Sequence, residues 1–242
     1  MLMNRNLLIC MCLAVIMPGS AVRVTAKATS STVSRVDGSK WGARQVKVKP
    51  FSKIETRGAV DVVFRQAAGK PKVEIKGNSD GMESVSVYSD GNTLVLTQKT
   101  AAGWYNFDGE GVKVYVSAPN ITAVTVSGSG DFDVNGALTT GRLEVNVRGS
   151  GDVDMKSVVC DEASVKVYGS GDVEIKKLVA RRTADIGVYG SGDIEVNFAK
   201  SGFVSCGVYG SGDVELKGSV RGLKKQVKGS GEIKTGKLKK WR

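Results

Sequence analysis

The chain has 242 residues, with 35 Lys and Arg, 24 Asp and Glu, no histidine and a formal net charge of +11. Without histidine a Ser-His-Asp triad, a Cys-His pair and every His-ligated zinc or iron site are excluded. Thirty-one glycines against four prolines exclude a collagen-like or Pro-rich disordered chain, in which proline would also be abundant, and the length fits one all-β domain of roughly 200 residues.

The N-terminus reads as a secretory signal peptide over residues 1–26. Arg5 supplies a positive start, Leu7 to Met17 is an apolar run, Pro18-Gly19-Ser20 breaks it, and Val24-Thr25-Ala26 offers small residues for cleavage. The run is too short for a permanent membrane span, and Cys10 and Cys12 lack the flanks of a lipidated cysteine. A membrane anchor is the alternative reading. The expectation is an exported protein of the periplasm, the outer surface or the medium. Residues 27–44 are expected to be a flexible mature N-terminus.

Residues 45–120 form an N-terminal β region. Strand-like stretches stand at Gln45–Val48, Lys72–Ile75, Val85–Tyr88, Thr93–Leu96 and Val112–Val116, with turns at Asn78-Ser79-Asp80-Gly81 and Asp90-Gly91-Asn92. Ile54 to Phe64 follows the pattern of the later repeats at its Gly, Asp and most apolar positions. It reads as a degenerate first coil, with antiparallel hairpins after it that cover one end or side.

Residues 121–236 carry the dominant signal. Gly-Ser-Gly-Asp starts at Gly128, Gly149, Gly169, Gly190 and Gly210, and Gly-Ser-Gly-Glu at Gly229, a period of 19 to 21 residues. Such a period belongs to a solenoid. Val124, Val145, Val165, Ile186 and Cys206 precede the first glycine by four residues, and Val126, Val147, Val167, Val188, Val208 and Val227 by two. After the corner, Phe132, Val153, Val173, Ile194, Val214 and Ile233 share one position. Alternation of β-branched residues on both sides of a Gly-rich corner is strand, turn, strand. The fold class is therefore all-β: a parallel, right-handed β-helix of about 20-residue rungs preceded by the N-terminal hairpin region, with equivalent residues about 4.8 Å apart. In the last copy Lys225 and Thr235 replace inward aliphatics, as a solenoid cap requires.

Residues 237–242 form a basic tail. From Lys217 onward ten Lys and Arg stand against Glu232 alone, whereas residues 27–216 balance their charges. The charge is thus local and gives no chain-wide nucleic-acid footprint. The tail reads as a solubilising cap or as a contact for an anionic surface such as lipid headgroups.

Phe51-Ser52-Lys53-Ile54, the Gly58–Phe64 stretch, Ser117-Ala118-Pro119-Asn120 leading into Val124 to Asp131, and the later Gly-Ser-Gly-Asp copies resemble the bacterial family called putative auto-transporter adhesin, head GIN domain. The resemblance covers about residues 45–240. It implies an exported β-helical envelope protein and brings no catalytic residues.

Two acid columns follow the corner. Asp131, Asp152, Asp172, Asp193, Asp213 and Glu232 form the first; Asp133, Asp154, Glu174, Glu195 and Glu215 form the second. The first is a weak calcium candidate, set against corner amides donating to each turn aspartate and against Lys156, Lys176 and Lys217 on the same face. Paired acids also suit a polysaccharide hydrolase, but rungs this short leave no loops for a cleft. No cofactor is expected. Tyr168, Tyr189 and Tyr209 precede three successive corners and predict an exposed aromatic ladder that binds a protein or glycan or simply braces the sheet. Trp104, Tyr105 and Phe107, in a Gly-bounded loop, form a second aromatic cluster that plugs an end or meets a partner. Cys160 and Cys206 fall at different offsets, two or more coils apart, too far for a disulfide. The expectation is a non-enzymatic, adhesin-like binding module for an envelope protein or glycan; the alternatives are a structural envelope role and, last, a polysaccharide-processing enzyme. Open edges in the hairpin region leave room for a homo-oligomer.

Overall fold

The computed structural model describes residues 33–34, 41–98 and 112–241. The signal segment and the Trp104, Tyr105 and Phe107 cluster lie outside the described residues.

In chain order the elements are β1 (Val33–Ser34), β2 (Trp41–Val46), β3 (Lys53–Gly58), β4 (Asp61–Gln66), β5 (Lys72–Asn78), α1 (Ser79–Ser84), β6 (Val85–Asp90), β7 (Thr93–Gln98) and β8 (Lys113–Ala118). Then come β9 (Ala123–Gly128), β10 (Phe132–Thr139), β11 (Arg142–Val147), β12 (Val153–Val167), β13 (Val173–Val188), β14 (Ile194–Val208), β15 (Val214–Val227), β16 (Ile233–Lys234) and β17 (Leu238–Lys240). The chain is a β-solenoid of about 6 turns with N-terminal strands before it.

Register follows the repeat. Val153 pairs with Val173, Val173 with Ile194, Ile194 with Val214 and Val214 with Ile233. On the side before the corner, Val165 pairs with Ile186, Ile186 with Cys206 and Cys206 with Lys225. Buried residues in β12 run Val153, Met155, Val158, Cys160, Ala163, Val165, Val167. The two steps of three coincide with the bends that give each coil three sides, since a step of three in a period-2 strand reverses the face. Each interior aliphatic contributes about 1.5–3 kcal/mol on full burial, so the columns supply the driving force of the stack. One aromatic pair lies inside them: the rings of Phe64 and Phe132 are 6.4 Å apart and stacked.

The corner glycines are required by proximity. A Cβ on Gly149 would lie 1.9 Å from the Gly128 carbonyl oxygen, and one on Gly190 1.9 Å from that of Gly169. None of the glycines in the six Gly-Ser-Gly copies has positive φ. The left-handed conformation often invoked at such corners is thus not the reason for glycine here. Backbones stack so tightly because each corner carbonyl accepts twice: Ser191 and Gly192 N–H donate to Gly169 O at 2.9 and 3.2 Å.

The degenerate first coil is β3–β4. Ile54 pairs with Val124 and Gly58 with Gly128, while Val62 pairs with Phe132. Beneath it β7 and β8 run parallel to β3 and β4. They form a further coil in a stretch whose pattern suggested hairpins alone. The antiparallel partners are β6 on β7, β5 on β8, β2 on β5 and β1 on β2. Asn78, read as part of a turn, instead caps α1, its Oδ1 accepting from Gly81 N–H at 2.7 Å. Arg44 Nη2 donates to the Met82 and Val85 carbonyls, tying α1 to β2. Residues 41–44, expected to be flexible, are held in β2 by pairing from Trp41 opposite Asn78.

At the other end β16 covers Val214–Glu215 and β17 covers Gly218–Val220. Within the basic tail, residues 238–240 form a strand on the last coil, and Trp241 N–H donates to Val220 O at 3.0 Å. Lys225 and Thr235, the two polar substitutions at inward positions, meet at 3.4 Å. Among the described residues no helix is long and apolar enough to cross a membrane.

Candidate functional site

Tyr168, Tyr189 and Tyr209 form the expected ladder. Successive ring centroids are 4.9 Å apart with interplanar angles of 12° and 9°, and the side chains are 46, 43 and 40% exposed. Each follows the last inward valine of its coil, so alternation turns it outward. Two of the rings fold back over glycines: a Cβ on Gly187 would come 3.0 Å from the Tyr189 ring, and one on Gly207 2.7 Å from that of Tyr209. Under Tyr168 the corresponding residue is Lys166, paired with Asp185 at 3.4 Å. Burial lowers the Lys166 pKa, but Asp185 outweighs it and the ammonium titrates higher than usual. The stack ends at Arg148, whose guanidinium lies 6.0 Å from the Tyr168 ring, and at Gln226, which accepts from the Tyr209 hydroxyl at 3.4 Å. Burial raises the Tyr189 hydroxyl above the usual tyrosine range.

Sequence reasoning missed Phe203. It is 57% exposed on the same outward side, in register between Thr183 and Gly222, with its ring seated over Gly222. The signal was available: Gly187, Gly207 and Gly222 are outward glycines outside the corner motif. Each leaves room for an aromatic ring. Tyr115, with Lys76 4.9 Å from its ring centre, lies on the other sheet side in β8 and does not join this face.

The first acid column is a hydrogen-bonded ladder. Oδ1 of Asp131 accepts from Asp152 N–H at 3.0 Å, Asp152 from Asp172 at 2.8 Å, Asp172 from Asp193 at 2.7 Å, and Asp193 from Asp213 at 2.7 Å. Asp61 starts it and Glu232 N–H ends it. The donor is the aspartate one coil above, not the corner of the same coil. Lys234 closes the column on Asp213 at 2.6 Å, and its hydrogen bond holds that carboxyl below the usual range. In the second column Lys217 bridges Glu195 and Glu215 at 2.6 and 3.2 Å, and Lys176 reaches Glu174 at 3.6 Å. Lys156 instead donates to Asn135. Burial, then Glu174 and Asp133, push the Asp154 pKa up, and Lys176 only partly opposes them. Between the columns runs an open groove of about 420 Å³. Among the described residues no group of three or more Cys, Asp or Glu side chains is arranged to hold a metal ion.

Cys160 and Cys206 are both buried and unbonded, in register with Ala180 and Ile186 respectively. Burial pushes their thiols up to about 11 and about 12, so neither is a nucleophile near neutral pH.

Comparison with known proteins agrees with this architecture. A putative adhesin of Bacteroides fragilis has a similar solved structure, with 26% identity and a TM-score of 0.66 over 81% of this chain and 97% of that one. A putative adhesin of Parabacteroides merdae shares 18% identity with a TM-score of 0.63 over 84% and 97%. A putative lipid binding protein of Parabacteroides distasonis shares 20% with a TM-score of 0.50 over 84% and 97%. Among curated proteins none matches the chain. The model of one family matches residues 50–234, and the chain belongs to that family, the putative auto-transporter adhesin, head GIN domain.

Proposed function

We propose that the protein is a non-enzymatic, exported binding module of the cell envelope, which takes a protein or glycan on the outward side that carries Tyr168, Tyr189 and Tyr209. The tyrosine ladder is the observation that carries this reading. Three aromatic rings lie on a rigid stack, each tyrosine close to half exposed, and exposed aromatics on a preformed surface lose little entropy on binding. Phe203 is a further exposed aromatic on the same side. Membership of an adhesin family supports the binding role, the exported location and the absence of an enzymatic one.

Because the rings stack on each other, the middle ring offers its edge, and ligand contact is expected along the row. The test is a glycan panel and an envelope-protein overlay with the wild-type chain and the Tyr168→Ser, Tyr189→Ser, Tyr209→Ser triple variant. A ligand retained by the wild type and lost by the variant at unchanged circular dichroism supports the reading. A ligand that binds both equally refutes the tyrosine row as the site, and the absence of any ligand supports a purely structural envelope role.

A further inference from the structure

The backbone under the tyrosine row is fixed. Val167 pairs with Val188 and Val188 with Val208, and Tyr168, Tyr189 and Tyr209 follow these valines directly. Each tyrosine N–H donates to a valine carbonyl of the preceding coil, Val147, Val167 and Val188 in turn, at 2.7 to 2.8 Å. The ring separation of 4.9 Å is therefore the coil step itself, and interplanar angles of 12° and 9° give all three rings one orientation.

The orientation also matches atom by atom. Cε2 of Tyr189 is the ring atom nearest a Cβ built on Gly187, and Cε2 of Tyr209 the one nearest a Cβ built on Gly207. The other carbon ortho to the hydroxyl, Cε1, lies on the opposite edge of each ring, away from the glycines. Equivalent ortho carbons thus stand above one another from coil to coil, and these are the carbons through which one-electron-oxidised phenols couple. The other described tyrosines lack such a neighbour. Tyr88 accepts from Arg57 at 3.3 Å and Tyr115 has Lys76 4.9 Å from its ring centre, but among the described residues neither is stacked on another ring.

We infer that the row is an oxidative cross-linking site, at which a peroxidase-class one-electron oxidant joins Tyr189 to Tyr168 or to Tyr209 as dityrosine. Each of two neighbouring phenols gives up one electron and its hydroxyl proton. The two radicals combine in a new carbon–carbon bond between Cε atoms, and the hydrogen on each Cε then moves to the phenolic oxygen, restoring both hydroxyls. For each bond one hydrogen peroxide is reduced to two waters. Because the partners are held in place, coupling is unimolecular rather than a diffusional encounter. The bond staples neighbouring coils and, as a cross-link, removes entropy from the unfolded chain. The inference uses the rings of the proposed binding row but stands without that reading: cross-linking is measured on the purified chain with no ligand, so its failure leaves the binding assay untouched.

The test treats the full chain with a haem peroxidase and limiting hydrogen peroxide and then with trypsin. Cleavage after Lys and Arg places the three tyrosines in separate peptides, residues 167–176, 183–200 and 201–217. Two linked pairs are expected, Tyr168 with Tyr189 and Tyr189 with Tyr209, each lighter by two hydrogens than its separate peptides. Dityrosine fluorescence per chain should not fall on dilution. Tyr189→Phe leaves two phenols two coil steps apart, roughly 9.6 Å, and should cut the intramolecular yield at least about tenfold. Tyr168→Phe keeps the Tyr189 and Tyr209 pair and should still form its bond. The proposal is overturned if no linked pair forms under conditions that couple free tyrosine, or if Tyr189→Phe retains the wild-type yield. It is equally overturned if linked tyrosines appear only in dimers whose yield falls on dilution, which marks exposed phenols meeting between molecules.

Discussion

Replacing Gly190 by alanine tests the physical reason for the corner motif. The new Cβ would stand 1.9 Å from the Gly169 carbonyl oxygen, more than 1 Å inside ordinary contact, and the neighbour is backbone with coils on both sides. That oxygen accepts from Ser191 and Gly192 N–H. Moving it away weakens two hydrogen bonds, each contributing about 0.5–1.5 kcal/mol, and forced overpacking adds about 1–3 kcal/mol. The loss should be about 4 kcal/mol, or roughly 10 °C in Tm for a chain of this size. Gly141→Ala is the control, because nothing lies within 4 Å of its added Cβ and its φ is not positive. Paired urea and thermal unfolding curves followed at the β-sheet circular dichroism band read both variants. A Gly190→Ala loss below about 1 kcal/mol, or one equal to the control's, would refute the argument that stacked backbones exclude Cβ.

Asp172→Ala removes the acceptor of Asp193 N–H and should cost about 1–2 kcal/mol, whereas Asp172→Asn keeps an acceptor and should cost clearly less; equal losses would show that charge, not the ladder, matters. Asp154 titrates above the usual range in the folded state, so its contribution is favourable at low pH and is lost as pH rises through the folded pKa; Asp154→Asn should therefore raise Tm at pH 7 and leave it unchanged below pH 4, and a loss at pH 7 would contradict this. Cys206→Val nearly conserves volume among Ile186 and Val204 and should shift stability by less than about 1 kcal/mol by chemical denaturation. Because the Asp Oδ1 atoms already accept amide protons, excess calcium or EDTA should not move Tm; a calcium-dependent rise would make the first acid column a metal site.

How far the sequence reveals this structure depends on whether a position repeats. The inward columns and the tyrosine row were legible because Val165, Ile186 and Cys206, or Tyr168, Tyr189 and Tyr209, recur at one spacing, and the degenerate coil from Ile54 to Phe64 kept enough of the pattern to align. The coil formed by β7 and β8 was not legible. Thr93–Gln98 and Lys113–Ala118 are separated by a long stretch without the Gly-Ser-Gly corner, and alternation alone shows a strand but not the direction of its partner. Gly187 and Gly207 were passed over because glycine in a strand says nothing about the ring that will lie on it, and Phe203 because it occurs once. The acid ladder was half legible. The column followed from the period, but the donor lies one coil away, and only the register assigns it.

The stacking of successive coils is tested most directly by engineered disulfides. In a Cys160→Ala, Cys206→Val background, Asp185→Cys with Ser205→Cys joins outward positions that face each other across one coil step, within the Cα separation a disulfide allows. Asp185→Cys with Lys224→Cys spans two steps, roughly 9.6 Å at the inter-strand spacing and beyond that limit. Mild oxidation should close the first pair nearly completely and leave the second open. Failure of the first pair to close, or closure of both alike, would contradict a stack in which residue follows residue every twenty positions.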